Sequence, residues 1–275
     1  MKIQYLGTAA SEGWPALFCR CEACEKARKL GGRDIRTRSQ SLVDDRLIID
    51  MPPDTFYHAL KFSVDLPSIQ DILITHTHED HFYPLDLILK APPYAHGGSV
   101  QNLHVYGSAA VTGMLKETMK LSGIPEIEDY ITPVEVEAYK PFKAGDHTVT
   151  ALPADHMKNE NCYIYIVEND GKRLLYAHDT GIFPRETWVY IRGIRFDAVS
   201  LDCTFVLDYN ERGHMGFPNA LEVKRRFLHD GCADGNTRFV INHFSHNGNK
   251  THAEISAHAA GNGFLTAYDG MSLMF

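Results

Sequence analysis

Short apolar runs separated by turn residues recur along the chain and predict a mixture of strands and helices. The run over residues 1–7 is typical of a strand, and runs at 41–43 and 46–50 flank a turn made of two aspartates. Residues 71–75 form an apolar run of the length expected for a buried strand. These runs predict that the chain begins by building a sheet.

Helical spacing of apolar positions marks later segments. Residues 109–121 show this spacing, and Gly123 and Pro125 predict where the helix ends. Further helices are predicted at 220–228 and 252–260, and further strands at 102–106, 148–152, 162–167, 173–177 and 238–242. Because strands and helices alternate without a repeat or a linker, we expect one α/β domain over residues 1–275. An inserted loop with a short helix is predicted at about 16–38.

Composition narrows the class of protein. The chain has 275 residues, 44% hydrophobic and 23% charged, so it can bury a sizeable core and is not expected to be disordered. Its 27 basic and 35 acidic residues leave a net charge of −8, which disfavours general nucleic-acid binding. No run approaches about 18 apolar residues, so no membrane span is expected. The N-terminus lacks a signal-peptide pattern, and we therefore expect a cytoplasmic location.

Four potential metal ligands follow the strand at 71–75 directly. His76 and His78 are two residues apart, so in an extended chain their side chains point to the same side and can face one centre. Where the chain is expected to turn into a helix, Asp80 and His81 can reach a second centre. Imidazole suits zinc, iron and manganese, and carboxylate favours harder ions. The alternative, a solvated loop with coincidental histidines, does not explain this density.

This stretch resembles the HxHxDH motif of the metallo-β-lactamase superfamily. The resemblance implies a four-layer αββα sandwich that holds two divalent metal ions, manganese or zinc. It also implies later ligands, and three residues that follow predicted strands match them in order: His156, Asp179 and His243. One metal would be held by His76, His78 and His156, and the other by Asp80, His81 and His243, with Asp179 bridging. Asp50, at the end of its strand, matches an aspartate that supports the centre in this fold.

Three cysteines within six residues suggest a second kind of metal site. Cys19, Cys21 and Cys24 offer three of the four ligands of a tetrahedral structural zinc, and His246 is the best candidate for the fourth. Clustered exposed thiols oxidise readily, whereas a zinc ion would keep them inert, so free surface thiols are the weaker interpretation. Such a zinc would connect the inserted loop with the segment that carries His243.

The N-terminal segment makes the resemblance specific to one family within this superfamily. Its pattern is similar to that of phosphoribosyl cyclic phosphodiesterases of the carbon–phosphorus lyase pathway: Gly7-Thr8, Ser11, Gly13, Pro15, Cys19-x-Cys21-x-x-Cys24 and Ala27-Arg28, with His243-x-x-His246 later. This resemblance implies a metal-dependent phosphodiesterase that hydrolyses a small cyclic phosphate, such as phosphoribosyl 1,2-cyclic phosphate, through a hydroxide that bridges the metals. Asp80 would orient the nucleophile. His214 would contact the phosphate or donate a proton to the leaving oxygen, and a solvated loop histidine is the alternative.

Other functions stay open at the level of sequence. A tRNA 3′-processing nuclease of the same fold would need a basic RNA-binding arm, and the sequence shows no such insertion. A thioester or lactam hydrolase is compatible with the fold, while a non-catalytic binding or accessory protein would have lost the paired metals. The expected partner is a small phosphorylated substrate. Nucleic acid is disfavoured, and a homodimer is left open.

Basic residues are concentrated in and beside the inserted loop. They form either a solvated helix face or a positive rim that attracts phosphate. The residues are Arg20, Lys26, Arg28, Lys29, Arg33, Arg36 and Arg38. Loops at 91–98 and 205–217 are expected to line the substrate pocket.

Overall fold

The computed structural model describes residues 1–96 and 101–275, so positions 97 and 98 of the expected pocket loop lie outside the described residues. Within the described part, the chain forms fourteen strands and six α-helices. The strands are β1 (Lys2–Gly7), β2 (Gln40–Val43), β3 (Leu47–Ile49), β4 (Asp71–Leu73), β5 (Leu103–Gly107), β6 (Ile131–Glu135), β7 (Pro141–Ala144), β8 (His147–Pro153), β9 (Tyr163–Asn169), β10 (Lys172–Ala177), β11 (Ala198–Asp202), β12 (Arg238–Asn242), β13 (Leu265–Thr266) and β14 (Met271–Met274). The helices are α1 (Glu22–Leu30), α2 (Thr55–Phe62), α3 (Ala109–Ser122), α4 (Arg185–Ile191), α5 (Phe217–His229) and α6 (His252–Ala260).

The strands form two mixed sheets of seven strands each. The first has the order β14-β1-β2-β3-β4-β5-β6, and the second has the order β13-β12-β11-β10-β9-β8-β7. Strands β3 to β6 are parallel in the first sheet, and β10 to β13 are parallel in the second. The last strand, β14, returns to the first sheet and pairs antiparallel with β1.

Side chains of the inner strands are buried on both sides. In β10, Leu174 and Tyr176 pack between the two sheets, whereas Leu175 and Ala177 pack against the outer helices. Successive side chains of a strand point to opposite faces, so a strand covered on both faces needs an unbroken apolar run. This explains why the apolar runs of the sequence located the strands.

Helices cover the outer face of each sheet. Trp188 of α4, Phe227 of α5 and Ile255 of α6 pack on the second sheet, and Leu115 of α3 packs on the first. The predicted four-layer αββα sandwich is therefore confirmed. Among the described residues, no helix combines the length and the apolar character needed to cross a bilayer. The cytoplasmic location and the single domain over residues 1–275 stay predictions.

Local expectations differ from the structure in several places. The helix expected at Asp80 is wrong, because the amide of His81 donates to the carbonyl of His78 at 2.9 Å and closes a turn, and a 3₁₀ helix begins only at Pro84. Helices α2 and α4 were not predicted. In α2, the apolar residues Phe56 and Leu60 are 70% and 68% exposed, so their spacing does not mark a buried face.

Candidate metal centre

The candidate ligands meet where several strands end at one edge of the two sheets. Asp50 follows β3, Asp179 follows β10 and His243 follows β12. All three have left-handed backbone conformations, with φ of 66°, 48° and 63°. Residues other than glycine adopt this conformation rarely and persist in it where the surrounding structure holds them, most often at functional sites.

A first group of ligand atoms comes from His76, His78, His156 and Asp179. His78 Nδ1 lies 2.9 Å from His76 Nε2 and 3.2 Å from His156 Nε2. The other ring nitrogen of His156 lies 2.9 Å from the carbonyl oxygen of Gly213, so Nδ1–H donates there and Nε2 is left as a ligand.

A second group comes from Asp80, His81, Asp179 and His243. His81 Nε2 lies 3.3 Å from His243 Nε2 and 3.2 Å from an oxygen of Asp80. Asp179 Oδ2 lies 2.5 Å from His81 Nε2 and 3.4 Å from His76 Nε2. One carboxylate oxygen thus stands between the two groups, as expected of a bridging ligand.

The spacing and chemistry of these atoms fit a pair of divalent cations. Nitrogens bound to zinc at about 2.0–2.1 Å in a tetrahedral site lie about 3.4 Å apart, close to the separations in both groups. Asp179 Oδ1 is buried and makes no hydrogen bond of normal geometry, although His214 Nδ1 lies 3.1 Å from it and His243 Nδ1 lies 3.3 Å from it. A buried carboxylate oxygen without a well-formed hydrogen bond is costly, and a bound cation would compensate for it.

The two groups differ in charge. Burial lowers the pKa of His76 and of His156, so both remain neutral, which is the form that binds metal. Burial by itself would lower the pKa of His81 as well, but the charges of Asp179 and Asp80 raise it well above its usual value. The second group therefore attracts positive charge.

Asp50 holds the ligand stretch through contacts with Thr75 and His81, in agreement with the expectation from sequence. It is fully buried, and its Oδ1 accepts hydrogen bonds from the amide and the hydroxyl of Thr75, both at 2.9 Å. Its Oδ2 lies 2.7 Å from His81 Nδ1, which leaves Nε2 of that ring for a metal.

Asp202, at the end of β11, is a supporting residue that sequence reasoning missed. Its buried carboxylate accepts hydrogen bonds from the amide of Asp179 at 3.0 Å and from the amide of Met215 at 2.8 Å. It thereby connects a bridging candidate with the loop that carries His214. A sign was present in the sequence, because Asp202 ends an apolar strand as Asp50 does.

His214 lies at the margin of the centre. Its Nδ1 is 3.1 Å from Asp179 Oδ1 and 3.4 Å from Asp202 Oδ2. Burial would lower its pKa, but these two carboxylates raise it to about 11. A further ligand group of Asp179, Asp202, His214 and His243 is geometrically available. A metal in that group would have to bind His243 through Nδ1. This nitrogen already has a partner, Thr204 Oγ1, at 2.8 Å. We therefore assign His214 to contact with the substrate rather than to metal binding.

A cavity of about 450 Å³ opens onto the centre. Its wall includes four candidate ligands and His214, together with Glu12, Phe205 and Asp208. The expected pocket loop 205–217 thus contributes to the wall, whereas no described residue of the loop at 91–96 does. No described residue of this wall is lysine or arginine, and positions 97–100 are Gly-Gly-Ser-Val, which add none.

The basic residues of the inserted loop do not form a rim on this cavity. On α1, Lys26 pairs with Glu22 at 2.7 Å and Arg28 pairs with Glu25 at 2.8 Å, so the interpretation as a solvated helix face is confirmed there. Arg36 fits neither interpretation. It is buried and donates hydrogen bonds inside the protein.

The cysteine cluster is brought together as expected. The ligand atoms of Cys19, Cys21, Cys24 and His246 lie within 4.8 Å of one another. Cys21 Sγ lies 3.4 Å from His246 Nδ1, and Cys19 Sγ lies 4.0 Å from it. A tetrahedral zinc would hold sulfur and nitrogen about 3.6 Å apart, so the group fits a zinc ion.

The thiols of this cluster differ in acidity. A backbone hydrogen bond from Cys24 is the main cause that lowers the pKa of the Cys21 thiol to about 6. Burial raises the pKa of the Cys24 thiol to about 11. Cys21 therefore ionises more readily than Cys24. Because the thiolate is the form that binds zinc, Cys21 is closer to the zinc-binding form in the metal-free protein.

Replacement of Cys21 by serine is expected to remove one zinc per chain and to lower the melting temperature by about 5–10 °C. The reason is that the zinc would join α1 to the segment after β12. The loss of activity should be smaller than for a ligand of the active centre. Elemental analysis and thermal unfolding measure the effects, with Cys162→Ala, outside the cluster, as the control that keeps its zinc. Free reaction of all three thiols in the native protein without metal release would contradict the site.

Comparisons with known proteins agree with this fold. The family described as "Beta-lactamase superfamily domain" matches residues 45–230, more than half of the chain. Ribonuclease Z of Listeria monocytogenes is 29% identical over 149 residues, which are 53% of this chain and 47% of that protein. The chain therefore spans about half the length of the curated relatives it matches.

Several solved structures resemble the whole chain, and two of them have TM-scores above 0.75. A new diphosphatase from the PhnP family has a TM-score of 0.77 and 22% identity, covering 100% of this chain and 97% of that one. Zn(2+)-bound PqqB from Methylobacterium extorquens has a TM-score of 0.76 and 20% identity, covering 100% of both chains. At these identities the likeness shows the fold. Together with the family match, it establishes that the chain belongs to the beta-lactamase superfamily and has the metallo-β-lactamase fold.

Proposed function

We propose that this protein is a metal-dependent phosphodiesterase that hydrolyses a small cyclic phosphate. The observation that carries the proposal is the pair of ligand groups that share Asp179, with His214 on the wall of the same cavity. Seven side chains from four separate segments converge on this pair, which is the arrangement expected for two cations that act on one substrate: His76, His78, Asp80, His81, His156, Asp179 and His243.

The chain's own residues have distinct roles in this proposal. Divalent cations bound here would lower the pKa of water and offset the charge of phosphate oxygens. Asp80 and Asp179 orient the attacking water as well as holding metal. His214 uses Nδ1 for the carboxylates of Asp179 and Asp202, so Nε2 is the atom that holds a proton for the leaving oxygen.

The charge of the cavity wall favours a substrate with one phosphate group. The described wall carries the carboxylates of Glu12 and Asp208 and no lysine or arginine. Carboxylates accept hydrogen bonds from sugar hydroxyls but repel a second phosphate. We therefore expect a ribose cyclic phosphate without a 5-phosphate to bind better than phosphoribosyl 1,2-cyclic phosphate.

A tRNA 3′-processing nuclease is the second candidate, because ribonuclease Z shares 29% identity with about half of the chain. RNA binding depends on basic side chains that neutralise many phosphates. The net charge of −8 and the acidic cavity wall do not supply them. A thioester or lactam hydrolase has no supporting feature in the cavity beyond the fold.

A substrate panel with metal analysis tests the proposal. The purified protein is assayed against bis-p-nitrophenyl phosphate, the two ribose cyclic phosphates, a precursor tRNA, a thioester and nitrocefin. We expect diester and cyclic phosphate hydrolysis that a chelator abolishes and added manganese or zinc restores. We also expect a metal content above the single zinc of the cysteine cluster. Cleavage of precursor tRNA with inert cyclic phosphates would favour the nuclease, and no metal beyond one zinc would favour a non-catalytic protein.

A further inference from the structure

Glu160 makes a two-point contact with the stretch that carries the first two candidate ligands. The amide of Thr77 donates to Glu160 Oε1 at 2.8 Å, and the hydroxyl of Thr77 donates to Oε2 at 2.7 Å. Thr77 lies between His76 and His78, and Glu160 lies in the loop that follows His156. One carboxylate therefore joins the two segments that supply the three histidines of the first ligand group.

We propose that Glu160 is a positioning residue that sets the separation between His156 and the pair His76 and His78. The inference rests on the metal centre of the proposed function. Glu160 belongs to none of the ligand groups of the described residues, so it acts on the centre through Thr77.

The loop that carries Glu160 is anchored at its ends, which allows the carboxylate to hold its partner. The amide of Ala154 donates to the carbonyl of Cys162 at 2.9 Å and closes the loop. The next amide, that of Tyr163, donates to the carbonyl of Thr75 at 2.9 Å. Tyr163 thus holds Thr75, before His76, and Glu160 holds Thr77, after His76. The ligand stretch is therefore held on both sides of His76.

A carboxylate suits this position because Thr77 lies beyond β4, outside the hydrogen-bond ladder of the sheet. Its amide and hydroxyl both need an acceptor, and hydrogen bonds to an ionised carboxylate are about twice as strong as neutral ones. Metal ligands must be held to within about 0.5 Å of the productive geometry. Loss of Glu160 would remove both of these restraints from the backbone between His76 and His78.

The test measures metal affinity in the absence of substrate. Metal-free protein is titrated with zinc and with manganese against a chromogenic chelator, for the wild type and for Glu160→Ala. We expect the variant to bind one of the two active-site metals about 10–100-fold more weakly, since residues that orient ligands commonly contribute that much. The second ligand group and the cysteine site should keep their affinities.

Three further variants separate positioning from charge and from folding. Glu160→Gln keeps the geometry, because its amide oxygen can accept from the Thr77 amide while its NH₂ donates to the Thr77 hydroxyl, so it should restore most of the affinity. Glu79→Ala removes the same charge from an exposed residue beside the ligands and should leave the affinity unchanged. Thr77→Val removes one of the two contacts and should weaken binding by an intermediate factor.

Distinct outcomes overturn distinct claims. Wild-type affinity in Glu160→Ala, or an equal loss in Glu79→Ala or Glu160→Gln, would show that Glu160 does not position the ligands. The melting temperatures of the metal-free proteins should agree within a few degrees. If Glu160→Ala does not fold, the metal affinity of Thr77→Val tests the proposal instead. If the wild type binds metal only at the cysteine site, the metal centre of the proposed function fails and the inference fails with it.

Discussion

Asp179→Asn is expected to lower phosphodiester hydrolysis by about a thousandfold or more. Asp179 Oδ2 stands between the two ligand groups, so its replacement by a neutral amide weakens both cation sites at once. Stabilisation of developing charge by metal ions contributes several kcal/mol to such reactions, and about 4 kcal/mol corresponds to this factor. Rates, metal content and circular dichroism of the variant measure the effect.

Asparagine is the informative replacement because the structure shows that the candidate ligands are buried. Asp179 is 2% exposed and His76 is 0% exposed, so alanine at either position would leave a cavity as well as remove a ligand. His76→Ala should abolish activity too, with a larger loss of stability. Asp146→Asn, whose side chain is 73% exposed, is the matched control and should keep full activity. Wild-type turnover in Asp179→Asn would contradict the two-metal assignment.

His214→Ala is expected to lower the rate on a cyclic ribose phosphate by about 10²–10⁴-fold, the usual contribution of a general acid. The loss on bis-p-nitrophenyl phosphate should be much smaller, because p-nitrophenolate leaves without a proton. Metal content should equal that of the wild type. Comparison of kcat for the two substrates is the decisive measurement.

The matched control for this variant is His229→Ala, whose side chain is 85% exposed on α5. An equal loss on both substrates would contradict the role of proton donor. Loss of a metal ion together with activity would instead make His214 a ligand in the further group with Asp179, Asp202 and His243.

Local patterns were sufficient for strands that are buried on both faces and for one helix with a single buried face. The helix at 252–260 and the strand at 238–242 have the bounds expected from sequence. Strands such as β10 are covered on both sides, so their apolar runs are unbroken and easy to locate. Helix α2 was not predicted because the exposed Phe56 and Leu60 disturb the helical spacing of its apolar residues.

By itself, the sequence determined which residues are candidate ligands. The spacing of His76, His78, Asp80 and His81 is a local property of the chain. The family resemblance that rests on this spacing then indicated His156, Asp179 and His243 as the later ligands. The same holds for the three cysteines, whose spacing already matches a zinc site. Ligand chemistry is visible in sequence because it depends on residue type and on short-range spacing.

The tertiary structure alone decided how these ligands are held and what surrounds them. Glu160 has no distinctive neighbours in sequence, and Asp202 is marked only by its place at the end of an apolar run. Their contacts join segments 83 and 23 residues apart, respectively. Arg36 belongs to a basic run by sequence but lies buried, where it donates hydrogen bonds to Thr8 and to the carbonyl of Ala267. The acidic cavity wall likewise combines Glu12 with Asp208, which lie far apart in the sequence. Such features arise from which strand ends the two sheets bring to a common edge, and that juxtaposition is a property of the packed fold rather than of any local pattern.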